Sequence, residues 1–159
     1  MVNDKIFLRR AIQLAREARE NGEDPFGAVL VFDQEILHES YDKCITLFDP
    51  VFHAELSLIS EYCRSHQRVS LEGCTIYSST EPCAMCGGAI HWAKISRVVF
   101  SVSQKRLQEI SGGTGKMGCE EILNSGRKKV EILGNLLVDE GLKVFEGYKF
   151  IPKAERLRK

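Results

Sequence analysis

The fold is decided by residues 75–102, which read TIYSSTEPCAMCGGAIHWAKISRVVFSV. Residues 75–78 carry β-branched and aromatic side chains and predict a strand, and residues 97–102 predict another. Between them, residues 83–94 predict a helix. Pro82 fits the beginning of that helix, because its missing N–H group would have no partner there. The stretch is therefore a strand–helix–strand unit, which is typical of an α/β fold.

The sequence before this unit predicts two helices and a hairpin. Apolar residues recur at helical spacing over residues 4–21, with Asp4 as the candidate N-cap. A short turn then separates strands predicted over residues 26–32 and 35–40, and a helix is predicted over residues 53–65. A hairpin followed by alternating helices and strands predicts a mixed sheet that helices cover on both faces.

The C-terminal third of the chain predicts shorter elements. The Gly-Gly-Thr-Gly stretch at residues 112–115 predicts a flexible connector, since it lacks the spacing and the Lys-Ser/Thr ending of a phosphate-binding loop. A short helix is predicted over residues 120–123, a last strand over 129–133 and a closing helix over 136–156. We expect all of these elements to belong to one domain spanning residues 1–159.

The composition indicates that the chain can fold without a metal or disulfides. Apolar residues make up 43% of its 159 residues, which is enough for one large core. A bound metal would therefore serve chemistry and not the fold. The 22 basic and 22 acidic residues cancel, so a nucleic-acid partner would need a local basic patch.

The N-terminal sequence and the cysteines predict a cytoplasmic protein. Met1 leads into an amphipathic segment, which is not the apolar run of a signal peptide. The chain has no stretch approaching about eighteen consecutive apolar residues, so no membrane span is expected. Six cysteines in such a chain predict thiols or metal ligands and not a disulfide framework.

The strongest functional signal combines His53-Ala54-Glu55 with Pro82-Cys83-Ala84-Met85-Cys86. One imidazole and two thiolates are three strong zinc ligands, which leaves a fourth position for water. The remaining cysteines and histidines lack a comparably paired spacing, so a closed four-ligand structural site is not expected. Both ligand groups fall at predicted helix beginnings, where backbone donors and the helix dipole stabilise thiolates. The sequence therefore predicts Zn²⁺ bound by His53, Cys83 and Cys86.

Glu55 is the predicted catalytic residue. It stands two residues after His53, close to the metal without being needed as a ligand. Zinc lowers the pKa of its bound water from ~15.7 toward ~7, and the resulting hydroxide can attack an amine-bearing ring carbon. Glu55 would carry the water proton to a ring nitrogen and later protonate the leaving amine, which departs as ammonia. The pairing of His-x-Glu with Pro-Cys-x-x-Cys is the signature of zinc deaminases.

Simpler interpretations exist for several of these residues. Cys83 and Cys86 alone also fit a redox pair or half of a structural zinc knuckle. Glu55 alone fits a solvated carboxylate that complements the helix dipole. His91 and Trp92 either pack in the core or line the pocket. The other cysteines are expected to be small apolar side chains that fill space in the core and not metal ligands. They are Cys44, Cys63, Cys74 and Cys119.

On these motifs the chain resembles the cytidine-deaminase-like superfamily, in the branch that holds guanine deaminase, yeast-type cytosine deaminase and the bacterial tRNA adenosine deaminase. The resemblance covers nearly the whole chain and implies a three-layer α/β/α sandwich around a five-stranded mixed sheet. It also implies that the backbone amide of Ala54 contacts the substrate and that the protein is a homodimer. The stretches that carry the resemblance are residues 25–29, 49–50, 53–55, 81–86 and 88–90.

Two aromatic residues favour one substrate class within that branch. Phe26 and Trp92 resemble residues of guanine-deaminase-like enzymes that act on free bases, and we expect both to contact the substrate, with Phe26 as a stacking wall. The tRNA branch tends to carry Val in place of Phe26 and to lack the Trp. Residues 153–159 include four basic residues, which fit either a tRNA contact or a solvated helix end. A guanine-like purine is therefore favoured, with a cytosine-like base next.

Asp42 departs from the pattern of the resembling family, which commonly has an asparagine eleven residues before the zinc histidine. An asparagine side chain donates and accepts hydrogen bonds, whereas an ionised aspartate only accepts them. We therefore expect Asp42 to face an N–H or amine of the substrate, unless it faces solvent as many turn aspartates do. Cys44 follows Asp42 in the same loop, so among the cysteines expected to be apolar it is the one that could have a role at the site.

Three functional hypotheses follow from the sequence. The first is zinc-dependent hydrolytic deamination of a nucleobase, nucleoside or related heterocycle. The second is adenosine-to-inosine deamination of tRNA, against which the neutral total charge argues mildly, because phosphate contacts dominate nucleic-acid affinity. The third is a non-catalytic zinc scaffold subunit, against which the presence of Glu55 counts.

Overall fold

The computed structural model describes residues 3–113 and 117–156. Its middle layer is a five-stranded sheet, whose strands in chain order are β1 (Gly27–Phe32), β2 (Glu35–Tyr41), β3 (Thr75–Thr80), β4 (Arg97–Val102) and β5 (Glu131–Leu133). Across the sheet the order is β2-β1-β3-β4-β5. Strand β1 pairs antiparallel with β2 and β3, whereas β3, β4 and β5 run parallel. The predicted mixed five-stranded sheet is confirmed.

Helices cover both faces of the sheet. They are α1 (Asp4–Glu20), α2 (Ala54–Ser65), α3 (Ala84–Trp92), α4 (Gln104–Ser111), α5 (Cys119–Leu123), α6 (Val138–Leu142) and α7 (Lys153–Arg156), with a 3-10 turn over Lys143–Phe145. Alternate residues of β1 face opposite layers, as the pleat of a strand requires. Val29 and Val31 pack with α1 on one face, whereas Ala28 and Leu30 pack with α2 and α3 on the other. The result is a three-layer α/β/α arrangement.

One edge of the sheet positions three helix beginnings. Because β2, β3 and β4 all run in the same direction, their carboxyl ends lie at the same edge. The chain enters α2 after β2, α3 after β3 and α4 after β4. The N-termini of these helices, with their unpaired N–H groups, are therefore brought to that edge.

Asp4 does not cap α1, so that prediction is wrong. Asn3 holds the N-cap position, and Asp4 is the first helical residue. The Asp4 carboxylate instead accepts hydrogen bonds from Tyr77 Oη at 2.6 Å and from Arg97 Nη1 and Nη2 at 2.7 and 3.0 Å. Burial of this group, which is 7% exposed, is compatible with its charge because Arg97 supplies the opposite charge.

The single closing helix predicted over residues 136–156 is also wrong. The structure has α6, the 3-10 turn and α7 there, with non-helical chain between them. Gly147 takes a φ of +67°, which ends helical geometry, and Pro152 comes just before the first residue of α7. Arg19 of α1 donates to the carbonyl oxygens of Val144 and Glu146, both at 2.8 Å, and so ties this segment to the core.

Helix α4 is the element that sequence patterns did not predict. Ser103 caps its beginning by accepting a hydrogen bond from Arg106 N at 3.2 Å, and Gly112 ends it with a φ of +68°. Of the predicted flexible connector, residues 114 and 115 lie outside the described residues. Among the residues that the structure describes, no helix combines the length and apolar character that a bilayer crossing requires.

Candidate functional site

The predicted metal ligands converge at the beginnings of α2 and α3. His53 is the N-cap of α2 and Cys83 is the N-cap of α3, while Cys86 lies in the first turn of α3. His53 Nδ1 lies 3.5 Å from Cys83 Sγ, and one donor atom from each of the three residues lies within 4.8 Å of the others. Two stretches about thirty residues apart therefore present one imidazole and two sulfurs to a single point.

This donor set suits zinc. Imidazole nitrogen and cysteine sulfur are the ligands that zinc prefers in proteins, and two thiolates balance the charge of a divalent ion. The group formed by His53, Cys83 and Cys86 has three members, which is the number of protein ligands in catalytic zinc sites. The arrangement could hold one zinc ion with a position left for a water molecule.

Hydrogen bonding within the group favours a thiolate. The pKa of Cys83 is lowered to about 4, because the Cys86 thiol and the His53 ring hydrogen-bond to its sulfur. The pKa of His53 is raised by the same contact with Cys83. The pKa of Cys86 is raised, first by its hydrogen bond to Cys83 and then by burial. These contacts favour the thiolate form of Cys83, and thiolates are the form that binds metals.

Glu55 lies in the first turn of α2 and is only 5% exposed. Its Oε1 accepts a hydrogen bond from Ser78 Oγ of β3 at 2.7 Å. Burial raises the pKa of Glu55 above its ordinary value, against the opposing effect of the Ser78 bond. A carboxyl group in this environment can take up a proton and return it, which is the property that a proton shuttle needs.

A small cavity opens over these residues. Its volume is about 140 Å³. Phe26 was predicted to form a wall of the site, and it lines this cavity. Sequence reasoning missed four of the lining residues, two of which lie on the unpredicted helix α4. The Ser103 cap was the signal that could have revealed that helix. The cavity is lined by Phe26, His53, Glu55, Thr80, Glu81, Cys83, Gln104 and Leu107.

Glu81 braces one wall of the cavity. Its carboxylate accepts hydrogen bonds from Gln104 N at 2.8 Å and from Cys119 N at 2.9 Å, so it joins the beginnings of α4 and α5. The Gln104 side chain donates back to the Glu81 carbonyl oxygen at 2.7 Å. These bonds hold Gln104 and Leu107 beside Cys83, although the residues lie on different elements.

Asp42 lies beside the predicted metal site and does not face solvent. It is 1% exposed, and an oxygen of its carboxylate, the Cys44 sulfur and a His53 ring nitrogen lie within 4.8 Å of one another. Asp42 Oδ1 accepts a hydrogen bond from Cys44 N at 3.0 Å, and Cys44 Sγ lies 3.5 Å from Oδ2. Asp42 N donates to the Phe26 carbonyl oxygen at 3.0 Å, which connects this loop to the wall residue Phe26.

The other two predicted substrate contacts, Ala54 and Trp92, lie in different places, at the beginning of α2 and at the end of α3. Ala54 is fully buried as the first residue of α2, where the helix supplies no acceptor for its backbone N–H. Trp92 is 76% exposed at the last residue of α3, so it packs in no core, and it does not line the cavity at His53 within this chain. The expectation that Trp92 lines that pocket is therefore not met by the described residues, because a whole helix separates it from Cys83.

The loop before β1 ties the C-terminal segment to the site. Asp24 Oδ1 accepts hydrogen bonds from Tyr148 Oη at 2.6 Å and from Arg156 Nη2 at 2.8 Å. The ring of Phe150 lies 6.2 Å from that of Phe26. The Arg156 side chain is 10% exposed, so of the two interpretations of residues 153–159 the solvated helix end does not hold for this residue; residues 157–159 lie outside the described part.

Glu23, which precedes Asp24, holds the loop that contains Ile45 and Thr46. It is 1% exposed and accepts hydrogen bonds from the backbone N–H groups of Ile45 at 2.8 Å and Thr46 at 2.9 Å. The hydroxyl of Thr46 donates to the same carboxylate. Sequence patterns did not single out Glu23, because its partners lie more than twenty residues away.

Comparison with known proteins gives a family match. Residues 1–102 match the family model described as the cytidine and deoxycytidylate deaminase zinc-binding region. The chain is 32% identical over 150 residues to a probable cytosine deaminase of Schizosaccharomyces pombe, and the match covers 91% of each chain. It is 39% identical over 100 residues to a tRNA-specific adenosine deaminase of Bacillus subtilis, covering 63% of this chain and 62% of that protein.

A solved structure supports the same relationship. The crystal structure of guanine deaminase from Bacillus subtilis is similar with a TM-score of 0.67 and 32% sequence identity, and the match covers 91% of this chain and 92% of that one. These three relatives are thus named as deaminases of three different substrates, namely cytosine, adenosine in tRNA and guanine.

Proposed function

Since the chain belongs to the cytidine and deoxycytidylate deaminase family, whose cofactor is zinc, and is a hydrolase of C–N bonds, we propose that it deaminates a small heterocyclic base. A guanine-like purine is the first choice and a cytosine-like base the second. The observation that carries the proposal is the buried Glu55 carboxyl, which is fixed by Ser78 at the wall of the cavity that His53 and Cys83 also line.

We assign the zinc ion to His53, Cys83 and Cys86. Bound zinc would supply an activated water molecule for attack on the amine-bearing ring carbon. His53 and Cys83 are held by their N-cap positions, since their carbonyl oxygens accept hydrogen bonds from Ser57 N at 3.0 Å and Gly87 N at 2.7 Å. These bonds restrain the backbone at His53 and Cys83, from which the two side chains extend toward the same point.

Glu55 moves the protons of the reaction in this proposal. It takes a proton from the attacking water and delivers it to a ring nitrogen of the base. It then takes the second water proton and gives it to the amine, so the C–N bond breaks with release of ammonia and a carbonyl group remains. Ser78 keeps the Glu55 carboxylate pointed at the cavity by donating to Oε1. Such a positioned acid–base typically contributes about 10²–10⁴ in rate.

The size and edges of the site favour a small base as the substrate. The cavity of about 140 Å³ is smaller than the ~300–1,000 Å³ of sites for drug-sized ligands. Phe26 offers an aromatic face for stacking, and its ring is itself supported by Phe145 and Phe150, at 6.1 and 6.2 Å. Asp42, which lies close to His53, accepts in this proposal a hydrogen bond from an N–H or amine of the base.

Deamination of adenosine in tRNA is the second candidate, because the chain is 39% identical over 100 residues to the Bacillus subtilis enzyme with that activity in its name. In that case the target base would enter the same cavity, flipped out of its strand. Homodimer formation stays a prediction for either substrate, as does the possibility that a neighbouring subunit completes the site.

One screen tests both candidates. We would measure ammonia release by the zinc-loaded protein from free bases, nucleosides, pterins, triazines and tRNA, with the Glu55→Gln variant as the matched control. Release from a free base that disappears in the variant while zinc stays bound supports the proposal. Release from tRNA alone would favour the second candidate. Absence of release from every compound by the zinc-loaded protein would contradict both and favour a non-catalytic scaffold.

A further inference from the structure

A second cavity lies at the opposite edge of the sheet from the candidate active site. Its volume is about 350 Å³, and it is formed where α3 ends and where β4 and β5 begin. The nine residues of α3 span roughly 13 Å, so this cavity and Cys83 lie at opposite ends of that helix. Its polar lining comes from His91, Lys94, Ser96, Arg127, Lys128 and Lys129.

The lining of this cavity is strongly basic. The four lysine and arginine side chains come from two segments that are thirty residues apart, in a chain whose formal charge is zero. Lys128 forms an ion pair with Glu72. The ion pairs between described residues do not include Lys94, Arg127 or Lys129, and the nearby Glu131 is engaged by Arg97 at 2.7 Å. The fold therefore concentrates four cationic side chains at this cavity, of which Lys128 has an ion-pair partner among the described residues and Lys129 donates to the Asn124 carbonyl oxygen at 3.2 Å.

An exposed aromatic ring lies beside two of the residues that line the same cavity, His91 and Lys94. Trp92 is the only tryptophan of the chain and is 76% exposed. The Nζ atom of Lys94 lies 6.0 Å from the centre of the Trp92 ring, and the His91 ring meets it edge-on at 5.9 Å. Lys94 has a φ of +61°, a conformation that is uncommon for residues other than glycine. Lys94 therefore both lines the cavity and lies next to the indole ring.

We propose that this cavity binds the phosphate ester group of a nucleotide, whose base stacks on Trp92. Guanidinium and ammonium groups are the donors that bind phosphate oxygens, and exposed aromatic rings stack bases of any sequence. Two sources share this chemistry, namely a free mononucleotide and a single-stranded polynucleotide. The site is separate from the proposed zinc centre, so it does not depend on the deaminase reaction.

The single tryptophan makes the site directly measurable. We would titrate the protein with uridine 5′-monophosphate at low ionic strength and follow Trp92 fluorescence, because uracil has no exocyclic amine and is not deaminated. Saturable quenching by the monophosphate, with much weaker quenching by uridine, is expected. Inorganic phosphate should displace the nucleotide, and added salt should weaken binding through screening.

Charge-removing variants test which residues hold the phosphate. The Lys94→Gln/Arg127→Gln double variant should bind the monophosphate at least about tenfold more weakly. The matched control, Lys5→Gln/Arg16→Gln, removes two exposed cations from α1 and should bind as the unmodified protein does. Ammonia release by the zinc centre should be the same in both variants, which separates this proposal from the proposed function.

Several outcomes would overturn the proposal. These are the absence of quenching at millimolar monophosphate, equal quenching by uridine, failure of inorganic phosphate to compete, and equal affinity of the Lys94→Gln/Arg127→Gln variant. A short single-stranded oligouridylate identifies the source among positive results. Binding that is much tighter than that of the mononucleotide points to a polynucleotide, and equal binding points to a free nucleotide.

Discussion

Ser78 Oγ donates a hydrogen bond to Glu55 Oε1 at 2.7 Å, and this contact joins the middle strand of the sheet to the predicted proton shuttle. Ser78 is 1% exposed and Glu55 is 5% exposed, so water competes little for either group. A bond formed in such surroundings orients the carboxylate strongly, since the alternative is an unpaired buried polar group.

The first prediction separates the two members of this pair. Glu55→Gln keeps the shape of the side chain but cannot shuttle protons, so kcat should fall by about 10²–10⁴ or more. Ser78→Ala removes only the orienting bond, and kcat should fall about tenfold with KM little changed, as expected for one hydrogen bond of about 1.4 kcal/mol. Steady-state ammonia release measures both. An equal loss of kcat in the two variants would contradict separate roles.

The second prediction concerns metal binding. Cys83→Ser and Cys86→Ser should each lower the zinc content of the purified protein strongly, because oxygen of serine is a poor ligand for zinc compared with a thiolate. Cys63→Ser is the matched control, since Cys63 is half-buried and belongs to neither potential metal group among the described residues. Elemental analysis measures the zinc content. Full zinc occupancy in the Cys83 and Cys86 variants would refute the assignment.

The third prediction concerns substrate choice. The Asp42 carboxylate only accepts hydrogen bonds, whereas the amide of the Asp42→Asn variant can also donate them. The ratio of kcat/KM between two competing bases should therefore change by about tenfold or more. Asp49→Asn is the control, since Asp49 Oδ1 accepts a hydrogen bond from Val51 N at 3.0 Å and an asparagine oxygen can do the same. An unchanged ranking of substrates in the Asp42 variant would show that this carboxylate does not read the base.

The fourth prediction concerns the buried ion pair between Asp24 and Arg156, whose side chains are 9% and 10% exposed. Among the described residues, Arg156→Leu leaves the buried Asp24 charge with the Tyr148 hydroxyl as its remaining side-chain partner, and should destabilise the fold by about 3 kcal/mol. The Asp24→Asn/Arg156→Leu double variant should recover part of this loss, because the uncompensated charge is gone. Urea denaturation of the three proteins, namely the unmodified chain, the Arg156→Leu variant and the double variant, measures the free energies of unfolding. A double variant no more stable than Arg156→Leu would contradict the account.

The fifth prediction is a pH dependence of stability. Hydrogen bonds from Arg97 hold the pKa of Asp4 below its ordinary value of 3.8, against the effect of burial. A depressed pKa means that the ionised Asp4 stabilises the fold. That contribution is complete above the ordinary pKa and is lost as the pH falls through the lower folded value.

Asp4→Asn should therefore lower stability near neutral pH by about 2 kcal/mol, through loss of the charged hydrogen bonds. The difference between the variant and the unmodified protein should begin to shrink below about pH 4, where Asp4 of the unfolded chain takes up a proton, and should shrink further as the pH falls through the lower pKa of the folded protein. Urea denaturation near neutral pH and again in acid measures this difference. Glu20→Gln, at the exposed end of α1, serves as a control with a small effect at either pH. A difference that stays constant into acid would contradict the prediction.

Local sequence patterns predicted most of the helices and strands, because hydrophobic spacing and capping residues act within a few positions of one another. The hairpin, the strand–helix–strand unit and the helix beginnings at His53 and Cys83 follow from such signals. The single closing helix predicted over residues 136–156 does not form. The positive φ of Gly147 is not helical, and Pro152 lacks the N–H group that a continuous helix needs.

By itself, then, the sequence determined the α/β class and predicted the zinc donor set and the proton shuttle, because each of these depends on short stretches whose backbone geometry is set by neighbouring residues. Only the tertiary structure decided which distant residues meet. It placed Asp42 against His53, brought Leu107 to the cavity wall and gathered Lys94 and Arg127 around one basic pocket. Such contacts depend on how whole layers pack, and the free energy that selects them is shared among many side chains far apart in the chain.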